Sequence, residues 1–447
     1  MTGTDVAAEV QTDLLRSAWI VERARALLYR EWARAQPSFA DSARRADARA
    51  EIVAAGLAAL SRPPDRDLVE PHAAWLRSVA GARPDEVPLA ALLVVRLGDW
   101  IDAHAAPLLE RASALAELGA EERAAVRWPE RLPPAPPYDP VVAPPVEPPG
   151  DVVVRIAVLG DLHFGSSTGD DLARAAIADV NRCGADLVVQ LGDITDHGER
   201  AEFEAATSAL ADLGMPCVTM MGNHDVYAVS EQRLAGREYY PASFGREPDG
   251  VVVEHAGIRV AVLDSAEHGA SPFAPFDLVT GSFVEGATGG AVVRGSLTVT
   301  QHDILADVAA PGAPPAFVFL HHPPQPYTGF PPVLFGLRDS DSGRLHATCD
   351  SGNVWGVFAG HTHRNARTRT FGHVPAHEVA IPRDYPFGYG LLDVTRHGYA
   401  YRFVQISDDE LVRGAYARAG EILRRYARGR DDELSFAWTP AAGSTRP

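Results

Sequence analysis

The chain has 447 residues, is 46% hydrophobic and 22% charged, and carries a formal net charge of −18. All 41 basic residues are arginine, which excludes chemistry that needs a lysine of its own: P-loop NTPases, protein kinases and Schiff-base enzymes. The acidic balance argues against a protein that coats duplex nucleic acid or anionic lipid. Cys183, Cys217 and Cys349 are too scattered for a disulfide framework or a thiolate zinc site. No charged start followed by an apolar run marks a signal peptide. The longest apolar stretch, Val87 to Val95, is far short of a bilayer span. The expectation is a cytoplasmic protein with no membrane partner.

Residues 1–128 read as helices. Leu14, Ala18, Val21, Ala24, Leu28 and Trp32 recur at steps of three and four, giving one apolar stripe. Similar patterns run through Ala48–Leu60, Pro71–Ala80 and Val87–Leu118. Trp19, Trp32, Trp75, Trp100 and Trp128 are expected to be aromatic knobs in a helical bundle rather than a stacking site. This region shows no chemistry of its own and its sequence assigns it no role; a protein partner or self-association through it is one option. Pro129 to Pro149 holds ten prolines in 21 residues, so 129–150 reads as an extended spacer.

From Asp151 the pattern changes. Val152–Leu159 is an apolar strand interrupted only by Arg155. A helix is predicted at Asp171–Asn181, a strand at Asp186–Gln190, a helix at Glu199–Leu213 and a strand at Pro216–Met221. That alternation implies right-handed crossovers and a buried parallel sheet. Further strands are expected at Gly257–Asp264, Ala316–His321, Val354–Ala359, Gly388–Val394 and Tyr399–Gln405, and helices at Thr298–Ala309 and Asp408–Arg428. The α/β domain is bounded at 151–406, leaving a C-terminal helix and tail over 407–447.

Five of these strands end in polar clusters: Gly160-Asp161-Leu162-His163, Gly192-Asp193-Ile194-Thr195-Asp196, Gly222-Asn223-His224-Asp225, His321-His322-Pro323-Pro324 and Gly360-His361-Thr362-His363. In α/β sheets, ligands bind beyond the carboxyl ends of the strands, so the clusters should converge. Carboxylates, an amide and imidazoles without a thiolate suit divalent manganese, iron or zinc better than a structural zinc.

In these motifs the sequence resembles the calcineurin-like metallophosphoesterases, whose pattern D-x-H, GD, GNH(D/E), H, GHxH is complete and in order over about residues 151–406. The resemblance implies a layered α/β sandwich, mixed sheets flanked by helices, here preceded by an all-helical N-terminal domain. It implies two divalent ions: Asp161, His163 and His363 on one, Asn223, His321 and His361 on the other, and Asp193 bridging them. His224 matches the histidine beside the leaving group. Protein serine/threonine phosphatases have an arginine where this chain has His197, and glutamate where it has Asp225. Purple acid phosphatases have a tyrosine at the spacing of Asp196. The His-His-Pro-Pro element is similar to class III cyclic nucleotide phosphodiesterases.

The expected reaction is hydrolysis of a small phosphodiester or monoester, by in-line attack of a metal-bridging hydroxide on phosphorus. His224 would act as general acid with Asp225 supporting it. His322 and Arg364 are candidate substrate contacts, and Arg383-Asp384-Tyr385 is placed nearby without a role. Two alternatives stand beside this reading. One is a nuclease acting on single-stranded or terminal nucleic acid, suggested by arginines at Arg364–Arg369 and Arg424–Arg430. The other is a non-catalytic scaffold of the same fold.

Overall fold

The computed structural model describes residues 3–34, 39–60 and 112–125, and most of 137–440. Outside the described residues are 167–168, 227–235, 325–335, 369–373, most of 267–294 and most of 420–426. The helices expected at Pro71–Ala80 and across most of Val87–Leu118 also fall outside them. The chain forms two compact units, one of 1–135 with 275–284 and 327–334, the other of the remainder.

In the first unit, α1 (Gly3–Trp32) packs along α2 (Phe39–Ala59), and α3 (Ala112–Ala125) lies against α2. Trp19 is buried, and Trp32 meets Tyr29 and Phe39 edge-on, as expected of aromatic knobs. Glu22 accepts from Arg25 and Arg49, and Arg49 also reaches the Leu115 carbonyl, so the buried charges are paired.

The second unit opens with β1 (Val152–Leu159), α4 (Gly169–Val180), β2 (Leu187–Gln190), α5 (Arg200–Leu210), β3 (Cys217–Val218) and α6 (Gly236–Phe244). Next come β4 (Val251–His255), β5 (Ile258–Leu263), the small ribbon β6 (Phe276–Asp277) and β7 (Ser282–Phe283), which falls within the first unit, and α7 (Val299–Val308). The chain continues through β8 (Ala316–Leu320), α8 (Asp339–Ser351), β9 (Val354–Ala359), β10 (Ala366–Thr368), β11 (Ala376–Glu378), β12 (Gly388–Thr395) and β13 (Gly398–Gln405). It ends in α9 (Asp409–Arg418), α10 (Asp431–Leu434) and β14 (Ser435–Trp438).

Two six-stranded mixed sheets result, in the orders β14-β13-β12-β1-β2-β3 and β10-β11-β9-β8-β5-β4. Side-chain alternation explains the layering. Val154, Ile156 and Val158 of β1 enter one core with Val260, Val262, Phe317 and Phe319 of the other sheet. Their neighbours Ala157 and Leu159 face a second core with Leu172, Ala176 and Phe203 of α4 and α5. On the far side, Val318 and Leu320 of β8 meet Leu305 of α7 and Leu345 of α8. Strands buried on both faces read as unbroken apolar runs, which is why they were legible. β1, β2 and β3 pair in parallel as their alternation with helices implies, and antiparallel strands β12, β13 and β14 complete the mixed sheet that the resemblance implies.

Two features depart from the expected boundaries. The second half of the proline tract lies on the sandwich: Val141 is buried, its amide donates to Gln405 Oε1 at 3.0 Å, and the Tyr138 ring meets Tyr416 edge-on. The chain beyond 406 supplies an edge strand as well as a helix. Among the described residues no helix is long and apolar enough to cross a membrane.

His377 sits in the inter-sheet core with neither ring nitrogen hydrogen-bonded, its ring 4.2 Å from that of Tyr401 and 5.5 Å from that of Phe436. Burial, aided by Arg367, lowers its pKa from 6.5 to about 3. The folded chain keeps this ring neutral while the unfolded chain protonates it below about pH 6.5. Stability should therefore fall as pH drops from 6.5 towards 3, by up to about 1.4 kcal/mol per unit. His377→Phe is expected to raise stability at neutral pH by about 1 kcal/mol or more and to flatten that acid loss. Urea unfolding at pH 5 and pH 7.5 checks it; an unchanged pH slope would contradict it.

Candidate metal centre

The loops after β1 and β2 run side by side. The amides of Leu162 and His163 donate to the Asp193 carbonyl, and that of Phe164 to the Ile194 carbonyl, each at 2.9 Å. The Gly360 amide donates to the His321 carbonyl at 3.0 Å, tying the loop after β9 to the end of β8. His321 Nδ1 donates to the Leu191 carbonyl at 2.8 Å, tying one sheet to the other. All five clusters thereby meet at one rim.

Packing there is close. A Cβ on Gly222 would fall 2.1 Å from Asp193 Oδ1, and one on Gly360 2.3 Å from Asp161 Oδ1, so only glycine fits. His163, Asp193, His361 and His363 all have positive φ, between 47° and 69°. Non-glycine residues in this region cost about 1–3 kcal/mol each and cluster at functional sites.

Two groups of donor atoms face inward. In the first, His163 Nε2 and His363 Nε2 are 3.2 Å apart, and Asp161 Oδ2 is 3.2 Å from His363 Nε2. His163 Nδ1 donates to Asp196 Oδ1 at 3.0 Å and His363 Nδ1 to Asp384 Oδ2 at 2.7 Å. With both Nδ1 protons so used, the two Nε2 atoms and the Asp161 carboxylate face one another, and a proton or a metal ion is needed between them. In the second group, His321 Nε2 lies 3.0 Å from Asn223 Oδ1 and 3.1 Å from His361 Nδ1. His321 has given its Nδ1 proton to Leu191, and an amide oxygen has none to offer in return. Asp193 Oδ2 stands between the groups, 3.7 Å from His163 Nε2 and 3.4 Å from His321 Nε2.

Acceptors facing acceptors repel unless a cation lies among them, so the residues fit metal ions. Buried Asp161 Oδ1, which has no hydrogen-bond partner, agrees with this. So does His363: burial works against its charge, yet Asp161 and Asp384 raise its pKa to about 10. Surroundings that draw a proton there also hold a metal ion. His163 and His361 are shifted the other way, well below 6.5, chiefly by burial and next by Arg383 and His322 respectively. Neutral rings are what ligation requires.

His224 lies beside the first group, its ring centroid 4.7 Å from that of His163. Its amide donates to Asp193 Oδ1 at 2.8 Å and its Nδ1 to the Asp196 carbonyl at 2.6 Å. The Nδ1 proton is thus committed, and Nε2 is the nitrogen able to exchange one.

Three expected residues behave differently. Asp225 does not support the His224 ring: it is fully buried and accepts from the amides of Gly222, Ile194 and Thr195 and from Thr195 Oγ1. It braces the loop that carries Asp193. Burial, then the charge of Asp193, raises its pKa to about 6. Arg364 does not face the cluster, because its guanidinium is paired with Glu378 at 2.8 and 3.1 Å. His322 is not open to substrate: it is fully buried, 2.9 Å from Ser265 Oγ through Nδ1, and its ring packs on His361. Sequence reasoning gave no role to Asp384 and used Asp196 only as a family difference. Both are partners of candidate ligand histidines, and their nearness to motif residues was the available signal. Of the arginines expected to favour nucleic acid, Arg367 and Arg430 pair with Asp432 and Arg428 with Asp431, while Arg369 and Arg425 lie outside the described residues.

Two curated relatives are probable cyclic nucleotide phosphodiesterases. That of Rhodococcus erythropolis is 28% identical over 195 residues, 42% of this chain and 55% of its own length. That of Rhodopseudomonas palustris is 27% identical over 234 residues, 47% of this chain and 72% of its own. Among solved structures, a dimetal phosphatase from Danio rerio is 15% identical, with a TM-score of 0.40, covering 57% of this chain and 98% of its own. Residues 154–365, which contain every one of the motifs described above, match the family model of the calcineurin-like phosphoesterases, and the chain is similar to that family over this stretch.

Proposed function

We propose that the chain is a metal-dependent phosphodiesterase of small substrates, with cyclic nucleotides the favoured class. The observation that carries the metal dependence is the position of Asp193 Oδ2 between two sets of inward-facing acceptors. Asp161, His163 and His363 would hold one divalent ion, Asn223, His321 and His361 the other, and Asp193 both. A nitrogen and oxygen donor set without thiolate suits manganese, iron or zinc. Such ions supply Lewis acidity towards phosphoryl oxygens and an activated water. The protein's own part is to fix the ligand tautomers through Asp196, Asp384 and Leu191. It also presents His224 Nε2 to the leaving oxygen, to which the imidazolium gives its proton.

The preference for diesters draws on the His-His-Pro-Pro element and on the names of the two relatives. The pairing of Arg364, Arg367, Arg428 and Arg430 with Glu378, Asp432, Asp431 and Glu433 speaks against a nuclease, since four carboxylates offset these four guanidinium charges. The test is turnover with manganese on 3′,5′-cyclic nucleotides, bis(4-nitrophenyl) phosphate, 4-nitrophenyl phosphate and single-stranded DNA. The small diesters should exceed the monoester by about tenfold or more in kcat/KM, a difference of about 1.4 kcal/mol in transition-state binding. A monoester preference, or activity confined to DNA, would contradict the substrate assignment.

A further inference from the structure

Asp196 and Arg383 stand behind the candidate ligands, and no motif includes Arg383. Asp196 Oδ1 receives His163 Nδ1 at 3.0 Å and Arg383 Nη1 at 2.6 Å. Its backbone carbonyl receives His224 Nδ1 at 2.6 Å. One residue thus sets the tautomer of a candidate ligand and that of the candidate proton donor. Across the gap, Asp384 Oδ2 receives His363 Nδ1 at 2.7 Å and lies 3.9 Å from Arg383 Nε.

The two carboxylates are only 16% and 17% exposed and orient ligands of the same ion. Unscreened, they would repel, and each would be free to turn away from its histidine. The guanidinium between them cancels the repulsion and pins the loop after β2 to the segment before β12. In the second donor group, by contrast, His321 is oriented by a backbone carbonyl rather than a carboxylate.

We propose that Asp196 and Asp384, clamped by Arg383, are positioning residues that set metal affinity at the Asp161–His163–His363 position alone, while Asp196 also aims His224. This rests on the two-metal reading above. The test measures manganese binding to the full chain by calorimetry, with elemental analysis, for the wild type, Arg383→Ala, Arg383→Lys and Asp196→Asn. Loss of a residue that orients a metal-binding histidine commonly costs 10–100-fold in affinity. Arg383→Ala and Asp196→Asn should each weaken one of two binding steps by about that factor and leave the other within about threefold. Arg383→Lys should recover most of the loss, because it keeps the charge between the carboxylates. Equal weakening of both steps, no change in either, or a lysine variant as poor as the alanine one would overturn the proposal. Failure of the wild-type chain to bind manganese would overturn the two-metal reading as well, which separates the two outcomes.

Discussion

Asp193→Asn should weaken binding at both metal positions, by about 100-fold or more, and turnover should collapse with it. The carboxylate has one oxygen between the two donor groups and the other on the His224 amide. An amide in its place keeps the shape but removes the negative charge that two cations would share. It also turns either a dipole or a pair of N–H donors towards them. Asp161→Asn is the control, since Asp161 stands in the first group, 3.2 Å from His363 Nε2, and its loss should cost one position more than the other. Elemental analysis after dialysis against defined free manganese distinguishes them. If the Asp193→Asn chain retains one full equivalent, Asp193 serves a single ion.

The second large effect concerns His224. With Nδ1 held by the Asp196 carbonyl, its Nε2 can deliver a proton without disturbing the ligand set. His224→Ala should keep its metal while turnover of an ester with an alkoxide leaving group falls by roughly 10²–10⁴. A nitrophenyl ester needs little protonation to depart, so its loss should be smaller. Rates on both esters, with metal content measured alongside, make the test. Metal loss in the variant, or equal rate loss on the two esters, would make His224 a ligand or a structural residue.

Much of this site was legible because its requirements are local. Each ligand cluster follows an apolar strand, and the glycines beside Asp193 and Asp161 are demanded by the close approach of those carboxylates. What escaped depends on partners far away in sequence. Asp384 matters through a histidine 21 residues away, and Asp196 through Arg383, 187 residues away. Arg364 looked like a phosphate clamp beside a ligand, and only Glu378, on another strand, turns it into a structural pair.

The same distinction separates the elements. Strands β1, β5, β8 and β9 announce themselves by apolar runs. Helix α8, in contrast, reads DSDSGRLHATCDS, polar almost throughout, with Ser342, Leu345 and Cys349 as its buried residues. Tertiary packing on the second sheet, rather than propensity, makes it a helix. β14 owes its place to the free edge of β13. The proline tract reads as a spacer by composition, and Tyr138 and Val141 dock it through contacts that composition does not encode.

The central claim is that the inward-facing acceptors hold two ions and that hydrolysis depends on them. Its most direct test is titration of chelator-stripped protein with manganese, iron or zinc, following bound metal and turnover of a small phosphodiester in the same samples. Activity should be absent in the stripped protein and should reach its plateau at two equivalents per chain. Full turnover in protein verified to be metal-free, or none at two bound equivalents, would contradict the account.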